Sequence, residues 1–201
     1  MGLKKSIGRA FSALTAAAML ATSAQVLPKS DEKLVARAAS ACVIDTQKEY
    51  QLIRGFGGIN HPEWTGADLS DSQRQTSFGN GTNELGLSVL RVFVNPDKNQ
   101  WYRAVETAKF ANKMGAYVFA SPWEPPSSIA SKGDGTYQGG KVHLNKSNYG
   151  AYAQHLNDFG TYMKNQGVDL FSISVQNEPD YAHDWTGWTS DETTDFLANY
   201  G

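Results

Sequence analysis

Short apolar runs alternate with longer stretches of helical spacing along most of the chain. The clearest run, 89–94 (VLRVFV), is rich in β-branched residues and almost continuously apolar, as is typical of a parallel strand buried on both faces. Similar runs at 55–59, 117–120 and 170–175 predict three further strands, and 43–53 predicts an extended segment before them.

Helical patterns follow the strands. Gly115 and Gly167 stand where two of the helices should end, and Ser190 is a candidate N-cap of the last. Between the third strand and the next helix, 127–146 is polar and glycine-rich and is predicted to be a loop. Strand and helix alternate four times, which indicates a parallel α/β fold. The predicted helices are 70–78, 101–113, 149–166 and 190–200.

The first 40 residues resemble an export leader. Lys4, Lys5 and Arg9 precede an apolar or small stretch at 10–21, and small residues follow it. We therefore predict a signal peptide and leader at 1–40, a folded domain at 41–201, and a secreted protein with no membrane contact after cleavage. An alanine-rich helix of the folded domain is the alternative.

The cleavage point stays open. It falls after Ala24 or near the small residues at 39–41. Cys42 directly follows that second site, so acylation of the cysteine is an alternative to a small hydrophobe on a strand. As the only cysteine, Cys42 forms no disulfide within the chain.

Charge and composition exclude several classes. The chain is 40% hydrophobic and 19% charged, with a net charge of −2, which fits a globular protein and gives no sign of nucleic-acid binding. Beyond residue 40 it holds 12 basic and 18 acidic residues, which favours a neutral or weakly charged substrate. The four histidines have no metal-ligand spacing, and no phosphate-binding loop is present, so we predict neither a metal nor a cofactor.

Candidate chemistry lies where the strands end, because function in parallel α/β folds sits at the carboxyl ends of strands. Glu178 directly follows the fourth strand, and a carboxyl partly shielded there from water can act as a general acid. A capping or solvated glutamate is the alternative. Asn60 and His61 follow the first strand and are candidate substrate-binding residues.

Arg91 lies within an otherwise apolar strand. A buried guanidinium needs a carboxylate or carbonyl partner. A structural ion pair and the orientation of a catalytic carboxylate are both open.

All five tryptophans lie in or beside predicted loops after strands, where a core role is less expected. Flat aromatic faces flanked by Asp, Asn and His suit a sugar ring, and together they indicate a glycan-binding cleft.

Three runs, 54–62 (RGFGGINHP), 121–123 (SPW) and 174–185 (SVQNEPDYAHDW), resemble glycoside hydrolase family 30 and within it the bacterial endo-xylanases called glucuronoxylanases. The resemblance covers 43–201. It implies a (β/α)8 TIM barrel with a β-sandwich side domain. The chain would hold about the first four β/α units and, at its start, a strand of the sandwich.

The resemblance also implies retaining hydrolysis of β-1,4-xylan. Glu178 would be the acid/base, Asn177 would bind the sugar 2-hydroxyl, and Arg91 would position the nucleophile. Trp123 would form the floor at the cleavage point. Tyr181 and Trp185 would line the cleft.

The chain departs from the family pattern at Glu124, where asparagine is common, and at Gly187, where a second tryptophan is common. The nucleophilic glutamate is expected after the seventh barrel strand and so is absent from this chain. A substitute base at Glu124 or Glu63 has no support from spacing. We therefore expect no hydrolysis by the chain alone, and the oligomeric state stays open.

Two alternatives remain. One is an inactive half-barrel that binds glycan or assembles with another half. The other is a different specificity within family 30, such as a β-glucosidase.

Overall fold

The structure is a computed structural model that describes residue 45 and residues 47–201. The predictions for the leader at 1–40 and for Cys42 lie outside these residues. Gln51–Gly201 form one compact unit, which holds all the described helices and strands. The described residues of the predicted extended segment at 43–53 form no strand, and the β-sandwich strand that the resemblance implies there stays a prediction.

Four parallel strands form the main sheet, and their order in the sheet follows their order in the chain. A helical segment precedes the second, third and fourth strands, so the sequence-based prediction of repeated β/α units is confirmed. Two further short strands form an antiparallel hairpin. The strands are β1 (Gly57–Asn60), β2 (Val89–Val94), β3 (Tyr117–Pro122), β4 (Ser131–Lys132), β5 (Val142–His143) and β6 (Leu170–Ile173).

Helices lie between the strands and after the last one. The helix over 71–78 begins with a capping box, in which the Ser70 hydroxyl accepts from the Gln73 amide and the Gln73 side chain accepts from the Ser70 amide. The α-helices are α1 (Pro62–Thr65), α2 (Asp71–Phe78), α3 (Val105–Lys113), α4 (Tyr149–Asn165) and α5 (Ser190–Asn199), with 3-10 turns at Lys98–Ala104 and Lys146–Asn148.

Several element boundaries differ from the sequence-based predictions. The helix predicted over 101–113 is a 3-10 segment in its first part. The predicted loop at 127–146 contains the β4–β5 hairpin, and β6 ends at Ile173, short of residue 175. The N-cap of α5 is Thr189, whose hydroxyl accepts from the Glu192 amide, and not the predicted Ser190.

The core lies between one face of the sheet and the helices. Leu90, Val92 and Val94 are buried on that face, whereas Arg91 and Phe93 alternate to the other face and are only half-buried. Burial of β2 on both faces was therefore a wrong prediction for the described part of the chain. The helices contribute Ala108, Ala111, Tyr152, Phe159 and Met163.

Two tryptophans expected in a glycan cleft belong to this core. Trp101 packs edge-on against Phe159 at 5.3 Å between ring centroids, and its indole N–H donates to the Asn95 carbonyl at 2.8 Å. Trp188 stacks on Tyr149. Both lie beside loops in the sequence, but their rings turn back under the helices.

None of the described helices has the length and apolar character needed to cross a membrane.

Candidate active site

The carboxyl ends of the four parallel strands bring most of the predicted site residues to one edge of the sheet. Asn60 ends β1, and His61 follows it. Trp123 follows β3, and the loop after β6 carries Asn177 and Glu178. Hydrogen bonds join the last two strand ends, because the Asn177 amide donates to the Pro122 carbonyl at 2.9 Å.

His61 lies inside an aromatic stack. Its ring is parallel to Trp64 and Phe93, at 4.1 and 4.4 Å between centroids, and Trp123 meets it edge-on at 5.1 Å. The residue is 4% exposed, and neither ring nitrogen has a hydrogen-bond partner among the described residues. Burial lowers the pKa of His61, although Glu63, 3.4 Å from Nδ1, acts in the opposite direction. The imidazole is therefore neutral at pH 7.

Arg91 connects this stack to the loop after β6. Its guanidinium lies 4.5 Å from the Trp123 ring centroid and donates to Oδ1 of Asn177 at 2.5 Å. Burial lowers the pKa of Arg91 below its ordinary value, and the negative charge of Glu178 opposes this shift only in part. The sequence predicted a carboxylate or a carbonyl group as the partner of Arg91. The hydrogen-bond partner in the structure is a carbonyl oxygen, that of the Asn177 side-chain amide.

Because Arg91 holds the Asn177 oxygen, the Asn177 amide nitrogen turns toward Glu178. The distance from Nδ2 to Oε2 of Glu178 is 3.4 Å, a long hydrogen bond. Arginine, asparagine and glutamate therefore form a chain in which one hydrogen bond sets the orientation of the next.

Glu178 has an unusual backbone. Its φ is +41°, in the left-handed region that non-glycine residues rarely adopt. Its carbonyl accepts from the Tyr181 amide at 3.1 Å and from the Trp185 indole at 3.4 Å, which holds the turn in place. The residue is exposed, so the expected partial shielding from water is wrong for the described part of the chain.

Asn60 is held by a carboxylate that sequence reasoning missed. Asp68 accepts from Asn60 Nδ2 at 2.7 Å, from the Thr107 hydroxyl at 2.5 Å and from Arg74 at 2.7 Å. Burial acts to raise the pKa of Asp68, but these hydrogen bonds outweigh it and leave the pKa lowered. No local pattern around residue 68 signals this role, because its partners come from β1, α2 and α3.

Glu63 is engaged in structural contacts. Its carboxylate accepts from Asn95 Nδ2 at 3.1 Å and lies 3.6 Å from Nε of Arg103. A role for Glu63 as a substitute base would require these contacts to break.

Tyr181 and Trp185 lie on the surface of the loop that carries Glu178. Tyr181 is exposed and Trp185 is half-buried. Tyr181 stacks on Tyr137, a residue of the hairpin loop that sequence reasoning did not single out. Tyr137 is 44 residues away in the chain, so no local pattern could have indicated this contact.

The described residues contain no group of three His, Cys, Asp or Glu side chains that could hold a metal ion.

Known proteins are similar to the chain in sequence and in fold. No family model matches the chain. It is 55% identical over 160 residues to the glucuronoxylanase XynC of Bacillus subtilis strain 168, a match that covers 80% of this chain and 38% of that protein.

Two solved structures are similar to the chain. A family 30 endoxylanase from Clostridium papyrosolvens C71 has a TM-score of 0.65 and 40% identity over 74% of this chain and 39% of its own. The family 30 subfamily 8 xylanase Xyn30A from Clostridium acetobutylicum has a TM-score of 0.63 and 38% identity over 77% of this chain and 40% of its own. The chain thus spans about two fifths of the length of these relatives. It belongs to glycoside hydrolase family 30, and its strands and helices correspond to part of that family's (β/α)8 barrel.

Proposed function

We propose that the chain supplies the acid/base side of an active site that hydrolyses β-1,4-xylan with retention of configuration. The observation that carries this proposal is the hydrogen-bonded chain from Arg91 through Asn177 to Glu178, beside the Trp123 ring. The similarity to proteins named glucuronoxylanase and endoxylanase supports xylan as the substrate.

In this mechanism Glu178 protonates the glycosidic oxygen and then deprotonates the water that releases the sugar. Asn177, oriented by Arg91, binds the 2-hydroxyl of the sugar at the cleavage point. Trp123 is the floor of that subsite. Asn60 and His61, which are almost fully buried, support this part of the subsite from below. Tyr181 and Trp185 line the cleft beyond it.

The second carboxylate of a retaining enzyme stands about 5–5.5 Å from the first. The resemblance to family 30 assigns it to the seventh barrel strand, whereas the described residues supply four strands of the main sheet. We therefore propose that the nucleophile comes from a further segment, and that the chain alone binds xylan without cleaving it.

We also propose that residues 1–40 form an export leader and that 41–201 are the mature domain. Intact mass of the protein recovered from the medium of an expressing bacterium tests this. A mass that corresponds to loss of 24 residues, or of about 40, supports it, and an uncleaved chain retained in the cells contradicts it.

Fragment complementation tests the catalytic proposal. The chain is co-expressed with the segment of the Bacillus subtilis glucuronoxylanase that follows its matched 160 residues, and release of reducing sugar from xylan is measured. We expect activity from the pair, none from either part alone, and a loss of at least about 100-fold in Glu178→Gln.

Glu124→Gln is the matched control, because it removes a carboxylate that follows β3 at the same edge of the sheet. It should keep most of the activity. Undiminished activity in Glu178→Gln, or equal losses in the two variants, would contradict the assignment. Binding of xylan by an inactive pair would favour the glycan-binding alternative.

A further inference from the structure

Three flat rings lie together on the surface of the loops beside Glu178. Tyr137 is parallel to Tyr181 at 4.9 Å between centroids and to His183 at 5.4 Å. Tyr137 is 54% exposed and Tyr181 is 52% exposed. Both tyrosines are therefore about half exposed although their rings stack, which is unlike core packing.

The loops that carry the rings are joined by their backbones. The Ala182 amide donates to the Tyr137 carbonyl at 2.8 Å, and the Lys141 amide donates to the Trp185 carbonyl at 2.9 Å. Tyr137 is thereby fixed to the segment that begins at Glu178. Backbone hydrogen bonds as well as side-chain stacking therefore hold the three rings in position.

Glycines allow this close approach. A Cβ at Gly140, where φ is +69°, would lie 2.3 Å from the Gly187 amide nitrogen, and a Cβ at Gly187 would lie 2.0 Å from the Gln138 carbonyl oxygen. Any larger residue at either position would separate the two loops. Gly187 is one of the departures from the family pattern, and the contact with the hairpin gives it a structural reason.

The position of the rings relative to Glu178 is set by one tight turn. The Tyr181 amide donates to the Glu178 carbonyl, so the rings begin three residues from the acid/base. Polar groups flank them, because Nδ1 of His183 lies 3.0 Å from a carboxylate oxygen of the exposed Asp184. Apolar ring faces with hydrogen-bonding groups at their rim are complementary to a pyranose ring.

We propose that Tyr137, Tyr181 and His183 form a platform that binds a xylose unit of the substrate outside the two units joined by the cleaved bond. This inference rests on the proposed function and extends it to a distal subsite in which Tyr137 sets the preference for longer chains. The platform suits a neutral pyranose, since contact between a sugar and an aromatic face does not depend on a charge on the sugar.

Binding of xylo-oligosaccharides to the 201-residue chain tests the platform. Isothermal titration with xylohexaose and with xylobiose measures Kd for the wild type and for Tyr137→Ala. We expect Tyr137→Ala to weaken xylohexaose binding about 5- to 10-fold, the size of one lost ring contact, and to leave xylobiose binding unchanged. Tyr137→Phe, which keeps the ring, should bind xylohexaose as the wild type does.

Tyr102→Ala is the matched control. Tyr102 is 61% exposed, lies on the 3-10 segment and stacks on none of the three rings, so its removal should change neither Kd. An unchanged urea midpoint in Tyr137→Ala excludes a folding defect as the cause of weaker binding.

The outcomes separate the two proposals. If Tyr137→Ala binds xylohexaose as tightly as the wild type does, the platform alone is overturned. The same holds if Tyr102→Ala weakens xylohexaose binding as much as Tyr137→Ala does. If the wild type binds neither oligosaccharide, both the platform and the proposed function are overturned.

Discussion

Two regions at the same edge of the sheet are built in opposite ways. At the ends of β1 to β3, His61 is enclosed by Trp64, Phe93 and Trp123, and almost none of its surface reaches water. After β6, Glu178 is exposed on a turn with a positive φ and is oriented mainly by hydrogen bonds.

Under the proposed function, this difference separates two tasks of the site. A sugar-binding floor gains precision from rings that pack against one another, whereas an acid/base must reach a glycosidic oxygen and exchange protons with water. Arg91 couples the regions, since it contacts the Trp123 ring on one side and Asn177 on the other. Substitutions in the first region should therefore reduce stability, and substitutions in the second should reduce function with little effect on stability.

The largest stability effect is expected for Trp123→Ala. The ring contacts His61, Phe93, Trp64 and Arg91, so its removal leaves a cavity and should lower the free energy of unfolding by about 3–5 kcal/mol. Urea unfolding measures this loss when it is followed by backbone circular dichroism, because that signal does not rely on tryptophan fluorescence. A loss below about 1 kcal/mol would show that the stack is not part of the stable core.

Asp68→Asn should have the next largest effect. The substitution removes the negative charge that accepts hydrogen bonds from Asn60, Arg74 and Thr107. We expect the free energy of unfolding at pH 7 to fall by about 1.5–3 kcal/mol.

The effect of Asp68 depends on pH in a defined direction. Since the folded-state pKa lies below the unfolded value of 3.8, the carboxylate contributes its stability above that pH and loses it as the pH falls further. The gap between wild type and Asp68→Asn should therefore narrow below about pH 4. A gap that stays constant down to pH 2 would contradict the lowered pKa.

His61→Phe gives a smaller, pH-dependent effect. Burial lowers the folded-state pKa, so below 6.5 the unfolded chain takes up a proton that the folded chain does not, and stability falls as the pH decreases. Phenylalanine keeps the stack without the titration, so stability should fall less between pH 7 and pH 5. If the free energy of unfolding falls by the same amount in the wild type and in His61→Phe between pH 7 and pH 5, a neutral buried His61 is contradicted.

The smallest stability effect is expected for Tyr181→Ala in the exposed region. Its ring is half in water, so the free energy of unfolding should change by no more than about 0.5 kcal/mol. Xylohexaose affinity should nevertheless fall. A stability loss like that of Trp123→Ala would remove the distinction between the two regions.

The sequence predicted best what depends on local pattern. The apolar run of β2 matches its strand residue for residue, and α2 begins where Ser70 and Gln73 form a capping box. The same pattern predicts Asn177 and Glu178 just after the fourth strand of the sheet, and the structure has them in the loop after β6. These features are set by side chains within a few positions of one another.

The sequence predicted poorly what depends on distant contacts. The hairpin β4–β5 was missed because its strands have two residues each and are stabilised by pairing with the 182–187 segment. Trp101 and Trp188 were assigned to a cleft because loop position does not show which way a ring turns. Asp68 was missed because its donors come from three separate elements.

The central claim is that Glu178 is the acid/base, and azide rescue of Glu178→Ala tests it most directly. In the complemented enzyme this variant should lose at least about 100-fold in activity on xylan yet still react with an aryl xylobioside whose leaving group needs no protonation. Added azide should then accelerate turnover and give the β-xylobiosyl azide, because a small anion can attack where the carboxylate is missing. Equal losses on both substrates, with no azide adduct, would contradict the assignment.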